Sequence, residues 1–242
     1  MYFLITRPLI DTQNLINRLP AYLTPICEPM IEISFPNIEA DVLKLNLDDF
    51  EGIIFTSSNG VRAVSKIKSL HSLKVYTVGE KTALLARSFG FNQVTCLGAS
   101  VEEAIKYITN SNGEVPQSLI YFSADKITKD LKFDLANFGY KIKQLVVYHT
   151  KPTNFFSHEL LLAFKSHQIK AVSFYSGATA LNYIRLASQY KLKENHRKIE
   201  AFALSEQVAD ILMQIQWLKV HIANRPTDNE MIKLVRNSYE KQ

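Results

Sequence analysis

Small and polar residues recur in this chain wherever an apolar run gives way to a helix-like pattern. Thr6 and Arg7 follow the first such run, Ser57 and Ser58 the next, and Gly79, Glu80, Lys81 and Thr82 the one after. Ser100, then Ser123 and Asp125, then Ser176, Gly177 and Ala178, then Ser205, Glu206 and Gln207, and finally Thr227 continue the series. Each position precedes or opens a helical pattern, so each hydroxyl or carboxylate is placed to cap a helix by accepting from a free N–H. Several helix starts directed at one ligand would do more, because they present unpaired N–H groups to an anion. One such start contributes about 0.3–1 kcal/mol to holding a charge. A set of them suits a ligand carrying many negative charges.

Tyr148, at the end of LVVY, is the one aromatic whose place suggests chemistry. It lies beside the HTKPTN join, where a polar aromatic tip would face a cleft. The other reading is a half-buried ring packed at a strand end with its hydroxyl in water. Other chemistries lack their residues. The eight glycines are scattered, with neither G-x-x-x-x-G-K-[ST] nor G-x-G-x-x-G, so no nucleotide cradle is expected. The histidines at 71, 149, 158, 167, 196 and 221 have no metal-like pairing, and no G-x-S-x-G elbow marks a hydrolase serine. Neither a nucleotide cradle nor a metal site is therefore expected.

The elements that must position these residues alternate between strand and helix almost throughout. YFLIT, GIIFT, KVYTV, NQVTCL, SLIYF, KIKQLVVY, KAVSFY, EAFAL and KVHIA read as strands. TPICEPMIEISF, Thr24 to Phe35, reads as extended, because Pro25 and Pro29 exclude a helix interior. Continuous apolar runs such as GIIF and LIYF suit strands buried on both faces, hence mostly parallel sheets flanked by helices. Right-handed crossovers then bring the strand-to-helix turns to one edge of each sheet, the carboxyl edge, where ligands of such folds bind.

The pattern occurs twice. GIIFTSSNGVRAV and AVSFYSGATALNY both run from strand through serine into helix, pairing Ser57 with Ser176. VYTVGEKTALLA and AFALSEQVADIL repeat the rhythm and pair Glu80 with Glu206, while YFLITRP and LIYFSADK are the matching openers. This predicts two related α/β lobes. Pro-containing joins at SFPN and HTKPTN divide them: residues 1–34 and 152–242 form a discontinuous first lobe, 38–148 the second, with connectors at 34–37 and 149–152. Two connectors would permit opening and closing of a cleft between the lobes.

Composition is that of an ordinary globular protein: 242 residues, 47% hydrophobic, 21% charged. A net charge of +5 without interleaved aromatic and basic residues argues against a nucleic-acid binder and suits a small anion. Cys27 and Cys96, in apolar strand-like contexts, are expected as reduced thiols. The apolar start MYFLIT is too short for a signal peptide or membrane span, so a cytoplasmic protein is expected.

Taken in order, LITRP, IFTSSNGVRA, VYTVGEKTA, LVVYHT, SFYSGATAL and Arg225-Pro226-Thr227 resemble the uroporphyrinogen-III synthase family over essentially the whole chain. The resemblance implies two flavodoxin-like lobes, each a mostly parallel sheet flanked by helices, joined by a two-stranded connector. It implies closure of hydroxymethylbilane, a linear tetrapyrrole with eight carboxylates, to uroporphyrinogen III, with loss of water and inversion of the last pyrrole. No cofactor, metal, nucleic acid or membrane is needed, and a monomer is expected. Tyr148 would assist the departing hydroxyl. Thr6, Arg7, Ser57, Ser58, Lys81, Thr82, Ser123, Ser176, Gly177, Ala178, Ser205, Gln207 and Thr227 would meet the substrate. Two turns depart from the family: Ser205 and Val208 stand where Gly and Thr are frequent, and Ser123-Ala124 replaces an Arg-Gly whose charge Lys126 would supply. A bilobal binding protein for a small polyanionic metabolite would display the same loops, and a two-lobed glycosyltransferase would need nucleotide contacts that have no motif here.

Overall fold

The computed structural model describes residues 1–111, 113–127 and 129–239. Its strands are β1 (Tyr2–Ile5), β2 (Thr24–Cys27), β3 (Ile31–Ser34), β4 (Gly52–Phe55), β5 (Lys74–Thr77), β6 (Val94–Cys96), β7 (Ser118–Ala124), β8 (Lys141–Pro152), β9 (Ile169–Phe174), β10 (Glu200–Ala203) and β11 (Lys219–Ile222). Its α-helices are α1 (Gln13–Ile16), α2 (Glu39–Leu43), α3 (Ser58–Val64), α4 (Glu80–Ser88), α5 (Val101–Asn110), α6 (Leu131–Ala136), α7 (His158–Lys165), α8 (Gly177–Gln189), α9 (Glu206–Leu212) and α10 (Asp228–Tyr239). By packing, the chain divides into two compact units, Met1–Glu32 with Lys151–Gln242, and Ile33–Thr150.

The first unit holds a five-stranded sheet in the order β11-β10-β9-β1-β2, and the second a six-stranded sheet in the order β3-β8-β7-β4-β5-β6. Set β3 aside, and the two orders are the same: β2-β1-β9-β10-β11 matches β8-β7-β4-β5-β6, the 2-1-3-4-5 order of flavodoxin-like sheets. Ser57 follows β4 and Ser176 follows β9, the third strands of the two orders, while Glu80 and Glu206 follow the fourth. The repeated pattern in the sequence is thus a repeated topology. The strand pairs within each order are parallel.

Alternation along the central strands builds a core on each face. In the first unit Leu4 joins Val172, Phe174 and Tyr183 on one side, and Phe3 and Ile5 join Ala171 and Phe202 on the other. In the second, Ile53 and Phe55 pack with Ile120 and Phe122, while Ile54 packs with Leu119 and Tyr121 on the opposite face. Every residue of β4 is buried, as its unbroken apolar run requires. Each fully buried phenylalanine contributes about 1.5–3 kcal/mol.

The extended stretch from Thr24 to Phe35 forms two strands belonging to different sheets. The break lies at Glu28–Met30 and has its own bonds. The Glu28 carboxylate accepts from the Ser157 N–H (2.7 Å) and hydroxyl (2.6 Å) at the start of α7, and the Met30 N–H donates to the Thr6 carbonyl (2.9 Å). The chain passes from one unit to the other within β3 and within β8, neighbours at the edge of the six-stranded sheet.

Candidate functional site

In the second unit, α3 begins where β4 ends because Ser57 is extended (φ −152°, ψ 146°) and its hydroxyl accepts from the Asn59 N–H at 3.2 Å. Ser58 opens the helix itself. Gly60, one turn in, lies so close to β7 that a Cβ would stand 2.9 Å from the Phe122 carbonyl oxygen, which brings the start of α3 tight onto the sheet. Beside it, α4 starts at Gly79, whose φ of 80° is open to glycine. Lys81 is exposed on α4, and Thr82 is buried. Lys126 is exposed after β7.

Tyr148 stands inside β8, not at a strand end, since that strand continues to Pro152. It is 7% exposed and packs near Phe35, with ring centroids 6.5 Å apart. Burial pushes its phenol pKa up and the Asp125 charge adds to this, against the neighbouring Ser57 hydroxyl. It is therefore a neutral donor at physiological pH. Burial alone would raise the Asp125 pKa, but the N–H groups of Thr150 and Lys126 and the His149 ring outweigh it and lower it. Ser123, expected beyond the strand, lies within β7, 1% exposed, where its hydroxyl accepts from Gln144 Nε2 at 2.9 Å.

The first unit repeats the helix starts. Ser176 (φ −156°, ψ 155°) caps α8, accepting from the Thr179 N–H at 3.3 Å, and Gly177 and Ala178 form the first turn. Thr227 accepts from the Glu230 N–H (3.2 Å) at the start of α10. Ser205 has the same extended backbone before α9 but makes no side-chain capping bond. With Gln207, Asn224 and Pro226 it lines a groove of about 510 Å³ at the carboxyl ends of β10 and β11.

Thr6 and Arg7 are turned inward. The Thr6 hydroxyl donates to the Ser173 carbonyl at 2.6 Å, linking β1 to β9. Arg7, 5% exposed, meets Asp228 at 3.2 Å and Asp11 at 4.0 Å and lies 4.1 Å over the Tyr175 ring. These bonds fasten the turn after β1 to the start of α10. Of the candidates read from sequence, Thr6, Arg7, Thr82 and Ser123 are thus buried members of the scaffold, whereas Ser176, Ala178, Lys81, Lys126, Gln207 and Thr227 are exposed. Asp228 and Tyr175 were not foreseen as partners of Arg7, although each adjoins a candidate, Thr227 and Ser176. Among the described residues no group of three or more His, Cys, Asp or Glu gathers to hold a metal, and no helix is long and apolar enough to cross a membrane. Cys27 and Cys96 are both free and half-buried.

A family model described as Uroporphyrinogen-III synthase HemD matches residues 21–233. The chain belongs to that family. Membership makes it a cyclising lyase of tetrapyrrole biosynthesis, and nothing favours a binding protein without turnover. Among solved structures it is similar to a mutant uroporphyrinogen III synthase from the extremely thermophilic bacterium Thermus thermophilus, with 17% identity and a TM-score of 0.62 over the whole of both chains. It is also similar to uroporphyrinogen-III synthetase from Helicobacter pylori, with 19% identity and a TM-score of 0.63 over 98% of this chain and all of the other. At these identities the likeness carries the fold, and the uroporphyrinogen-III synthase family rests on the family model. A search of curated protein sequences gives no match.

Proposed function

We propose that this chain closes hydroxymethylbilane to uroporphyrinogen III in the cytoplasm, as a monomer, without metal, cofactor or nucleic acid. The observation that carries the reading is the family match over residues 21–233. The doubled series of helix starts at the carboxyl edges of both sheets supports it. Departure of the substrate hydroxyl leaves a delocalised cation, which the terminal ring attacks at its substituted carbon, and a spiro intermediate then resolves with the ring inverted. Tyr148 donates to the departing hydroxyl. Its raised pKa suits this role, because the phenol remains protonated throughout the neutral range.

The other contribution is geometric. Eight carboxylates held by helix starts fix the bilane in the fold that forms the harder bond, which converts binding into orientation of the reacting ends. The residues proposed to meet the substrate are Ser57, Ser58, Lys81, Lys126, Ser176, Gly177, Ala178, Ser205, Gln207 and Thr227. Thr6, Arg7, Thr82 and Ser123 hold these turns in place from beneath. Fresh hydroxymethylbilane left alone closes without inversion to isomer I, so chromatography of the tetrapyrrole isomers reads the activity directly. The chain is expected to give mostly isomer III with no added metal or nucleotide. An isomer I yield equal to the buffer control would overturn the proposal.

A further inference from the structure

We propose that Asp125 is a positioning residue for ring closure, fixing the aim of the Tyr148 phenol by pinning a bulge in β8. The inference rests on the reading of Tyr148 as proton donor. Along β7 and β8 the parallel register runs Ser123 to Val146 and then Ala124 to Tyr148, so Val147 has no partner and β8 carries one extra residue. In a regular strand successive side chains point to opposite faces. Leu145 and Val147 accordingly share one face of the sheet. Tyr148 should then turn to the other, where Ile54, Leu119 and Tyr121 pack. It does not: Val147 and Tyr148 lie in the same core, 0% and 7% exposed. The inserted residue has re-aimed the phenol, as bulges do beside active sites.

Asp125 holds the strand just beyond the inserted residue, along Tyr148 to Thr150. Its N–H donates to the Tyr148 carbonyl at 3.1 Å, and its Oδ1 accepts from the Thr150 N–H at 3.1 Å. Its Oδ2 lies 3.4 Å from His149 Nδ1. The side chain is itself braced, since Oδ1 also accepts from the Lys126 N–H at 3.0 Å. One residue thus fixes the Tyr148 carbonyl, the Thr150 N–H and the His149 side chain between them, the stretch of β8 that leaves the bulge immediately after the phenol. A misplacement of about 1 Å at a reacting group costs on the order of 10²-fold in rate, and a loosened bulge is a route to part of that.

The test compares kcat, KM and the ratio of isomer III to I for wild type, Tyr148→Phe, Asp125→Asn, Asp125→Ala and the double variant Tyr148→Phe/Asp125→Ala. Asp125→Ala is expected to lower kcat about tenfold while KM stays within about twofold, because the phenol is misaimed and the carboxylate contacts are untouched. Asp125→Asn, which keeps an oxygen for Thr150, should recover most of that loss. The double variant should be no slower than Tyr148→Phe, since Asp125 acts through the phenol. If Asp125→Ala melts below the assay temperature, Asp125→Glu, whose oxygens are displaced by one methylene, carries the same expectation. Wild-type kcat in the Asp125 variants, or losses that multiply in the double variant, would overturn the inference. Wild type yielding only isomer I would instead overturn the family activity, and a fully active Tyr148→Phe would overturn the role of Tyr148 and this inference with it.

Discussion

The ring of His196 has no exposed surface, and its two nitrogens are both engaged, Nδ1 with the Leu192 carbonyl at 2.8 Å and Nε2 with the Tyr183 hydroxyl at 2.8 Å. A proton on Nδ1 alone satisfies both, with Tyr183 donating to Nε2. Burial lowers the pKa from 6.5 to about 4, against the pull of backbone carbonyls. The unfolded chain therefore binds this proton more readily than the folded one, and stability is lost as pH falls from about 6.5 toward 4. The loss approaches on the order of 3 kcal/mol at the acid end. Melting temperatures at pH 7 and pH 5 should differ for wild type, and the difference should shrink in His196→Gln. An equal drop in both chains would place the acid sensitivity elsewhere. Residues of this kind were only partly legible. Tyr148 stood out in the sequence because its hydroxyl ends an apolar run, but nothing in LVVYHT marks Val147 as an inserted residue. Valine before or after a bulge looks the same, and the register is a property of β7 as much as of β8.

At the scale of elements, two serines with the same backbone conformation do different work. Ser57 caps α3 with its hydroxyl, whereas Ser205 precedes α9 with no capping bond. Ser57→Ala is expected to cost about 1 kcal/mol of stability through the lost cap. Ser205→Ala should leave the melting temperature unchanged, yet raise KM if its hydroxyl meets a substrate carboxylate. Melting curves and steady-state kinetics on both variants separate the roles, and a stability loss in Ser205→Ala with unchanged KM would reverse the assignment. The sequence placed both serines before helices, since strand, small residue and helical spacing are local signals. It could not divide them by role, because that depends on side-chain rotation. The burial of Thr6 and Arg7 was hidden for a related reason: their partners Ser173, Asp228 and Tyr175 are distant in sequence and meet them only once β1 lies beside β9.

At the scale of the whole molecule, the doubled topology was legible because each strand-to-helix turn repeats in order, and order survives where residue identity does not. The split of Thr24–Phe35 between two sheets was not, since two prolines exclude a helix equally well in one strand or two. The net charge of +5 leads to a further expectation for an octa-anionic substrate. KM should rise as salt shortens the Debye length from about 10 Å at 0.1 M to about 3 Å at 1 M. A KM indifferent to salt would mean that exposed charge plays little part in capture.

The order in which strands join has a consequence in time as the chain leaves the ribosome. β1 emerges well before its neighbour β9, which begins only at Ile169, whereas every strand of the β8-β7-β4-β5-β6 series has been made by Pro152. At roughly 5–20 residues per second, β1 waits on the order of ten seconds for its partner, while the inserted unit can complete its sheet. Throughout that delay Phe3, Leu4 and Ile5, all without exposed surface in the finished protein, have no β9 to cover them. These early residues complete their packing late, and during synthesis they form an apolar segment open to a chaperone or to a neighbouring nascent chain.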